Sequence, residues 1–428
     1  MRSVVRGVFA TLFTVLLVLG AATPASAAGF GIFEQGAKAM GMAGAFTAQA
    51  DDGSALFHNV GGLGFLNERE FQVGFTFISG QNDFVGGSPF PGAGVTEEQE
   101  GLTEVPPHFY WIEPINDTWK FGLAVNAPFG LVTEWEDPQN FTGRFLSTKA
   151  ALTAIDLNPN LGWQVSPRLS VGAGLIVRFS EVELRRNESA INPFTEAAAD
   201  VANVLLESDF SEGFGWQVGF LNRVNNSFSW GVSYRSEVDL DFDGEALLTQ
   251  IPTGFPEFDG LVAAITPFDQ KLPITTSLTF PAMASLGVAV ALSRNWLVEV
   301  DYNYAGWGSV DRIVIDFDAL DDTTLNQQWD DVNNYRLGLR WTRGPSSEWR
   351  FGYVYDENPI PDETLGPLLP DSDRNGFTIG YGRTGNRFGI DLALLYLPFK
   401  ERTITTSEDN FNGTYDTTAW LASGTLSW

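Results

Sequence analysis

The sequence predicts an all-β fold: a 14-stranded antiparallel transmembrane β-barrel with an N-terminal plug in its lumen and short helices in its outer loops. Two observations carry this. After residue 70, apolar and polar residues alternate over many segments, the period of a strand and not of a helix. The connections between those segments are alternately short and long, which is how a membrane barrel sorts its turns and loops between its two ends.

Taken from the start, residues 1–27 read as a secretory signal peptide. Arg2 and Arg6 precede an apolar run from Val8 to Leu19, and Ala25-Ser26-Ala27 offers small residues for cleavage after Ala27, the order an export signal requires. The run falls short of the roughly 18 apolar residues that a spanning helix needs. No later stretch is both long and apolar enough, in keeping with a mean hydropathy of -0.04, and a helical membrane protein is excluded.

The formal net charge is -28 at pH 7, and the loss of two arginines with the leader makes the mature chain more acidic still. Such a surface repels nucleic acid, so no nucleic-acid partner is expected. Cys is absent, which removes disulfides and thiolate metal sites. Phe 34, Trp 13, Tyr 10 and Gly 45 suit strands, turns and interfacial girdles.

Residues 28–69 are rich in Gly and Ala and carry no useful period-two run. They belong somewhere other than the barrel wall, and a barrel this wide is either water-filled or plugged. The expected organisation is therefore a plug over 28–69 and a barrel over 70–428.

Alternation is clearest between Phe228 and Asp243, where Phe228, Trp230, Val232, Tyr234, Val238, Leu240 and Phe242 oppose Ser229, Ser233, Arg235, Glu237, Asp239 and Asp241. It recurs at 296–304, 335–341 and 349–355. Short turns fall at Ile115-Asn116-Asp117, Ser166-Pro167-Arg168, Val224-Asn225-Asn226, Ser293-Arg294-Asn295, Gly344-Pro345-Ser346 and Thr384-Gly385-Asn386. Six short turns alternating with seven long loops require 14 strands. They are placed at 70–80, 106–114, 119–128, 150–165, 168–186, 213–224, 228–243, 273–292, 296–316, 329–343, 348–357, 375–383, 387–402 and 416–428. The last strand closes on Trp428 with apolar residues at every second position, similar to the terminal signal read by the barrel assembly machinery, the expected insertion partner.

Two outer loops show a helical period instead. After the fifth strand, Asn192 and Pro193 suit a helix start, with Phe194, Ala197, Ala198, Val201, Val204 and Leu205 on one face. After the seventh strand, Phe258, Leu261, Val262 and Ile265 repeat the spacing. Apolar faces at the outer end suit a groove where an apolar ligand first lands, or simply pack on each other.

Several motifs then fall into one pattern. They are the stretch from Glu34 to Leu63, Ala127 to Trp135 followed by Gly143-Arg144-Phe145, Tyr234 to Gly244, Tyr302 to Phe317, and Asn358-Pro359-Ile360-Pro361-Asp362-Glu363-Thr364 with Leu369-Pro370-Asp371-Ser372-Asp373-Arg374. Together, in this order, they resemble the FadL-type outer-membrane transporters of fatty acids and aromatic hydrocarbons. The resemblance covers nearly the whole mature chain. One departure stands at the plug turn: the family shows Asn-Pro-Ala, whereas this chain has Asn59-Val60-Gly61, losing the fixed backbone angle of Pro.

The resemblance implies a bacterial outer-membrane protein, set in outer-membrane lipid and lipopolysaccharide, that acts as a monomer without a cofactor. It implies passive uptake: a long-chain fatty acid or other apolar small molecule collects between the outer loops, moves to a pocket against the plug, and leaves when the plug rearranges, either along the barrel axis or sideways through a kink in the third strand. A dry path has a clear physical basis, since each buried CH2 gains roughly 0.8 kcal/mol. The candidate pocket residues on the plug are Phe30, Ile32, Phe33, Met40, Met42, Phe46, Leu56 and Phe57. The candidate outer groove comprises Val201, Val204, Leu205, Phe258, Leu261, Val262 and Ile265. Arg178, Arg235, Arg336 and Arg340 face the lumen by parity and are candidates for a carboxylate head group, against the alternative that they pair with lumen carboxylates.

Two other functions compete: a general diffusion porin, suggested by polar lumen faces, and a lipid hydrolase built on one of the two histidines, His58 or His108. Neither histidine accompanies a Gly-x-Ser-x-Gly elbow, so no enzyme and no catalytic residue is expected. The acidic run Asp316, Asp318, Asp321 and Asp322 lacks calcium-loop spacing, and no metal is expected there.

Overall fold

The computed structural model describes residues 29–318 and 320–428; the leader expected over residues 1–27 lies outside them. Fourteen strands close into an antiparallel ring: β1 (Glu70–Gly86), β2 (Pro107–Pro114), β3 (Trp119–Glu134), β4 (Lys149–Ser166), β5 (Leu169–Asn192), β6 (Ser211–Asn225), β7 (Phe228–Arg235), β8 (Met283–Ala291), β9 (Trp296–Ala305), β10 (Val332–Thr342), β11 (Ser347–Asp356), β12 (Arg374–Thr384), β13 (Gly389–Pro398) and β14 (Gly413–Ser427). Each pairs with its neighbour in sequence. Closure runs from β14 to β1, from Gln72↔Ser427 to Gly86↔Gly413. Closure gives every strand of the ring a partner on each side along part of its length, as a membrane-spanning sheet requires.

Burial along the strands is inverted relative to a water-soluble protein. On β9, Glu299, Asp301 and Asn303 are buried while Val300 and Tyr302 are exposed, and Leu337, Ile379, Leu392 and Leu175 likewise face outward. An exterior of aliphatic side chains around a polar interior is stable only where the exterior meets lipid. Stacked aromatic pairs ring the short-turn end, among them Trp119–Trp163, Trp296–Trp341 and Phe71–Trp428. Further pairs, Tyr302–Tyr335, Tyr353–Phe377 and Tyr396–Trp420, lie nearer the long-loop end. Such belts mark the two membrane interfaces.

Three of the expected strands are broken. The segment 228–243 divides at Ser236-Glu237, 273–292 at Pro281-Ala282, and 296–316 around a short 3-10 turn at Trp307–Ser309. The outer halves leave the ring and form a second sheet. In it Ala197–Ser208 pairs with the outer end of β5, Val238–Gln250 with Ala197–Ser208, Lys271–Phe280 with Val238–Gln250, and Arg312–Phe317 with Lys271–Phe280. The period of two continues in phase across the first two breaks, so periodicity cannot reveal a change of partner there; across the third it shifts, from Tyr302 and Tyr304 to Ile313, Ile315 and Phe317.

The helix expected from Asn192 onward is a strand instead. Ala197–Ser208 has a backbone partner on each side, and those two ladders override the helical preference that its Ala and Leu residues give the segment. Val204 and Leu205 consequently point to opposite faces, Val204 buried and Leu205 half-buried. The second expected helix does form, over Pro256–Ile265, and seats Phe258 and Val262 on Val201 and Ala202. Leu261 and Ile265 face outward, at 53% and 83% exposure.

Residues 29–66 sit within the ring, because strands on every side hold them. The Tyr110 hydroxyl of β2 donates to Gln35 O, Arg336 of β10 to Ala43 O, Thr378 of β12 to Gly41 O, and Gln217 of β6 to Leu56 O. Phe46 N and Thr47 N donate to one carboxylate oxygen of Asp301 on β9, each at 2.9 Å, and Ala48 N to Glu299 at 2.5 Å. The Asn59-Val60-Gly61 turn is closed by its own side chain: Asn59 Oδ1 accepts from Gly61 N, and Nδ2 donates to Thr47 O and Phe220 O. A Cβ at Gly61 would lie 2.7 Å from the Phe220 backbone, so only glycine lets this turn approach β6 so closely.

Candidate functional site

An apolar cavity lies between the ring and the second sheet. It encloses about 850 Å³, counting its open part, and its walls include Leu131, Val182, Leu184, Leu206, Phe242, Ile274, Ile315 and Leu325. Phe30 forms its inner end. That ring packs edge-on against Trp307 at 4.7 Å between centroids, with Phe280 at 5.8 Å and Phe129 at 6.0 Å. Leu184, Leu206, Ile315, Leu325 and Leu368 are shared with a second cavity. That cavity in turn shares Leu146, Arg186, Thr323, Leu325 and Leu368 with a polar chamber of about 890 Å³ among the outer loops. The three adjoin in series between the outer loops and Phe30, a candidate passage that is polar at the mouth and apolar within.

At its inner end the passage meets a defect in the wall. The β3–β4 register shifts between Asn126 and Phe129, at Ala127-Pro128, where proline removes a ladder donor. On its other edge β3 pairs with β2 only as far as Val125↔Phe109. Beyond that, the chain pairs with β1 through Leu102–Glu104, and among the described residues no ladder joins 101–106 to 126–133. The N-terminal segment covers the open edge instead: Ile32 N donates to Pro128 O, Gly130 N to Phe30 O, and Gln35 Nε2 to Ala127 O. Phe30 thus closes the apolar cavity and helps to cover the gap.

Most lumen arginines are neutralised. Arg178 forms two hydrogen bonds to Asp156, at 2.7 and 2.8 Å, between the Phe129 and Phe280 rings. Arg235 reaches the same carboxylate at 3.0 Å, and Arg340 binds Asp51 at 2.7 Å. Burial opposes the Asp51 charge, but Lys38 and Arg340 prevail and hold its carboxyl well below the usual range. Arg336 differs: among the described residues it forms no ion pair, donating to Ala43 O and lying over the Phe33 ring. It lines a small polar cavity with Phe33, Thr47, Phe57, His58, Arg235 and Asn303.

Burial, then the positive fields of Arg336 and Arg235, push the His58 imidazole down to about 3 from 6.5. An unfolded plug therefore binds a proton near pH 6.5 that the docked plug refuses until about 3. Docking is fully favoured above that window and weakens as pH falls through it. Protease protection of the plug in detergent should fall between pH 6.5 and 4 in the wild type and less steeply in His58→Gln. Equal slopes would contradict this environment for His58.

Of the plug residues singled out in the sequence, the structure brings Phe30 to the apolar cavity and Phe33 and Phe57 to the polar one. Ile32 and Met40 pack against Ile78, Leu395 and Leu421 of the wall, Leu56 against Tyr110 and Ile112, and Met42 and Phe46 are buried within the plug contacts. Val204 alone of the expected outer groove lines the passage; Val201, Phe258 and Val262 form a separate cluster. Sequence reasoning missed Leu184, Leu206, Ile274, Ile315 and Leu325, since strand residues at an outer end look like any other strand residues, and it missed Leu368 and Trp329, which lie in loops. The Leu-Pro-Asp motif was the one available signal: Asp371 accepts from Gly29 N at 2.9 Å, beside Leu368 and Leu369 of the cavity wall. Among the described residues, neither His58 nor His108 is hydrogen-bonded to a serine or carboxylate, and His108 Nε2 lies 2.8 Å from Thr425 Oγ1. Asp316, Asp318, Asp321 and Asp322 are exposed.

Comparison with known proteins agrees with this architecture. The "Long-chain fatty acid transport protein" of Escherichia coli O6:H1 is 24% identical over 410 residues, covering 90% of this chain and 91% of that protein. "Outer membrane protein P1" of Haemophilus influenzae is 24% identical over 446 residues, covering 94% and 93%. Among solved structures, a Pseudomonas aeruginosa FadL homologue superposes with a TM-score of 0.80 at 20% identity, covering 94% of this chain and 99% of that one. The Ralstonia pickettii toluene transporter TbuX gives 0.67 at 17% identity, covering 92% and 99%. The model of one family, described as outer membrane protein transport protein (OMPP1/FadL/TodX), matches residues 18–427. The chain belongs to that family, as a β-barrel of the bacterial outer membrane.

Proposed function

We propose that this protein carries hydrophobic small molecules, long-chain fatty acids first among them, passively across the outer membrane, with no catalytic step. The ligand enters among the outer loops, descends the apolar passage to Phe30, and leaves sideways through the gap beside Ala127-Pro128 when the N-terminal segment lifts off β3. The observation that carries this is the position of Phe30, at once the floor of the passage and part of the cover over the wall defect. The names of the curated relatives favour fatty acids as the ligand class, and those of several solved neighbours extend it to monoaromatic hydrocarbons. An apolar ligand has no reason to cross the polar interior of the plug when a door to lipid lies beside its pocket.

The direct test is mass spectrometry of whatever apolar molecule copurifies with the protein, paired with an uptake assay. Leu206 lines both inner cavities, and Leu206→Asp places a charge where no partner waits, at a cost of several kcal/mol. Uptake of labelled fatty acid should fall at least about tenfold, with barrel assembly retained. Undiminished uptake would reject the passage.

A further inference from the structure

We propose that the short-turn rim of β8 to β13 is a binding surface for anionic glycerophospholipids, whose phosphates it engages in the periplasmic leaflet of the membrane. Short turns of such barrels face the periplasm. Three successive hairpins make up this arc: β8–β9 carries Arg294, β10–β11 carries Arg343, and β12–β13 carries Arg383 and Arg387. All four are exposed, and among the described residues none of them forms an ion pair. Backbone groups close the turns, with Leu292 N donating to Trp296 O, Arg343 N to Ser347 O and Gly385 N to Phe388 O. The guanidinium groups have no part in holding these hairpins.

The charge of this arc is one-sided. The acids of β8 to β13 and their short turns are Glu299, Asp301, Glu348, Asp356 and Asp391, and each is engaged inside the ring. Glu299 and Asp301 accept from the plug, Glu348 and Asp391 bind Arg350, and Asp356 binds Arg374. No acid remains on the outward face to neutralise the four arginines. Elsewhere on the same rim the pattern differs, since Arg69 is bound by Glu113. The whole chain carries a formal charge of -28, so the arc sets a local positive field against the sign of the molecule.

Depth and surroundings choose the kind of anion. Arg383 continues the outward row of Phe377, Ile379 and Tyr381, and Arg343 that of Tyr335, Leu337 and Trp341. Trp341 stacks on Trp296 at 5.6 Å between centroids, and Tyr381 lies 5.0 Å from Trp349. Two residues along a strand cover about 7 Å, so the arginines follow directly on the interfacial aromatics, where lipid phosphates lie. Hairpins two strands apart stand roughly 10 Å from each other, and the arc has room for neighbouring head groups. A guanidinium offers paired N–H donors to phosphate oxygens, while Leu337, Ile379 and Leu392, farther into the membrane, meet acyl chains. A soluble anion would gain from the arginines alone; an anionic lipid engages arginine, aromatic and aliphatic rows together.

The test is native mass spectrometry of the delipidated protein, offered equal amounts of phosphatidylglycerol and phosphatidylethanolamine with matched chains. The wild type should retain phosphatidylglycerol over phosphatidylethanolamine by about tenfold or more, since one basic residue near an anionic surface contributes about fivefold. Each of Arg294→Gln, Arg343→Gln, Arg383→Gln and Arg387→Gln should lower that ratio, and the quadruple variant should bring it within about twofold of unity. Arg168→Gln, on the exposed β4–β5 turn outside the arc, should leave it unchanged. Equal retention of both lipids by the wild type overturns the proposal, the result expected if the arc instead faces an acidic polymer of the periplasm. A preference that survives the quadruple variant overturns it too, as does one that excess glycerol phosphate abolishes, which marks a site for free phosphate. The four single variants keep the test decisive if the quadruple variant fails to assemble.

Discussion

Replacing Glu299 and Asp301 together by alanine is expected to raise ion conductance from the near-zero value expected of the wild type to that of an open pore. These two carboxylates on β9 accept from Phe46 N, Thr47 N, Ala48 N and Gln49 Nε2, at 2.5 to 2.9 Å. They are the densest attachment between plug and wall. Their removal leaves three buried backbone donors unpaired, at about 1–3 kcal/mol each unless water enters, and admitting water is the first step of opening the lumen. The wall itself is untouched, because the β8–β9 and β9–β10 ladders are backbone bonds. Planar-bilayer recordings should show near-zero current for the wild type and long-lived conducting states for the double variant. A large steady current from the wild type would favour a general diffusion porin. An electrically silent double variant would show that the remaining contacts, Arg336 to Ala43 and Arg340 to Asp51 among them, hold the plug unaided.

A covalent clasp across the wall defect should stop uptake altogether. Gly31 and Phe129 are antiparallel bridge partners, and such pairs stand at the Cα separation a disulfide spans, roughly 4.5–5.5 Å. The chain has no Cys of its own, so Gly31→Cys with Phe129→Cys introduces a single possible crosslink. In the oxidised protein, fatty-acid uptake should fall by an order of magnitude or more, and reductant should restore it to the level of the reduced double variant. The missing Phe129 ring affects the oxidised and reduced states alike, so its effect cancels in that comparison. If the oxidised protein transports at the reduced rate, the ligand does not leave past Phe30, and an axial route through the plug replaces the lateral one.

The six short turns and the alternation on β9, β10 and β11 were legible in the residues because both are local: a turn needs only its own residues, and parity needs only neighbours two apart. The Asn59-Val60-Gly61 turn was visible as a departure, but its repair was not. Asn59 closes it through Thr47 and Phe220, the latter a ring-strand residue far along the chain. The loop segment 197–208 misled for the same reason. Its spacing suited a helix, and only the arrival of β5 and Val238–Gln250 on its two edges made a strand the better use of its backbone.

Residue order by itself indicated the strand count and membrane setting, through alternating faces joined by connections that are short and long in turn, and something inside the ring, through a leading stretch without that alternation. Tertiary structure alone decided where three strands part from the wall, which leucines line the apolar cavities, and that among the described residues Arg336 meets a backbone carbonyl while Arg178, Arg235 and Arg340 find acids. The physical reason is range: the preference of a side chain for lipid or lumen is a property of its own position, whereas a cavity or an unneutralised charge is defined by partners that only folding brings together.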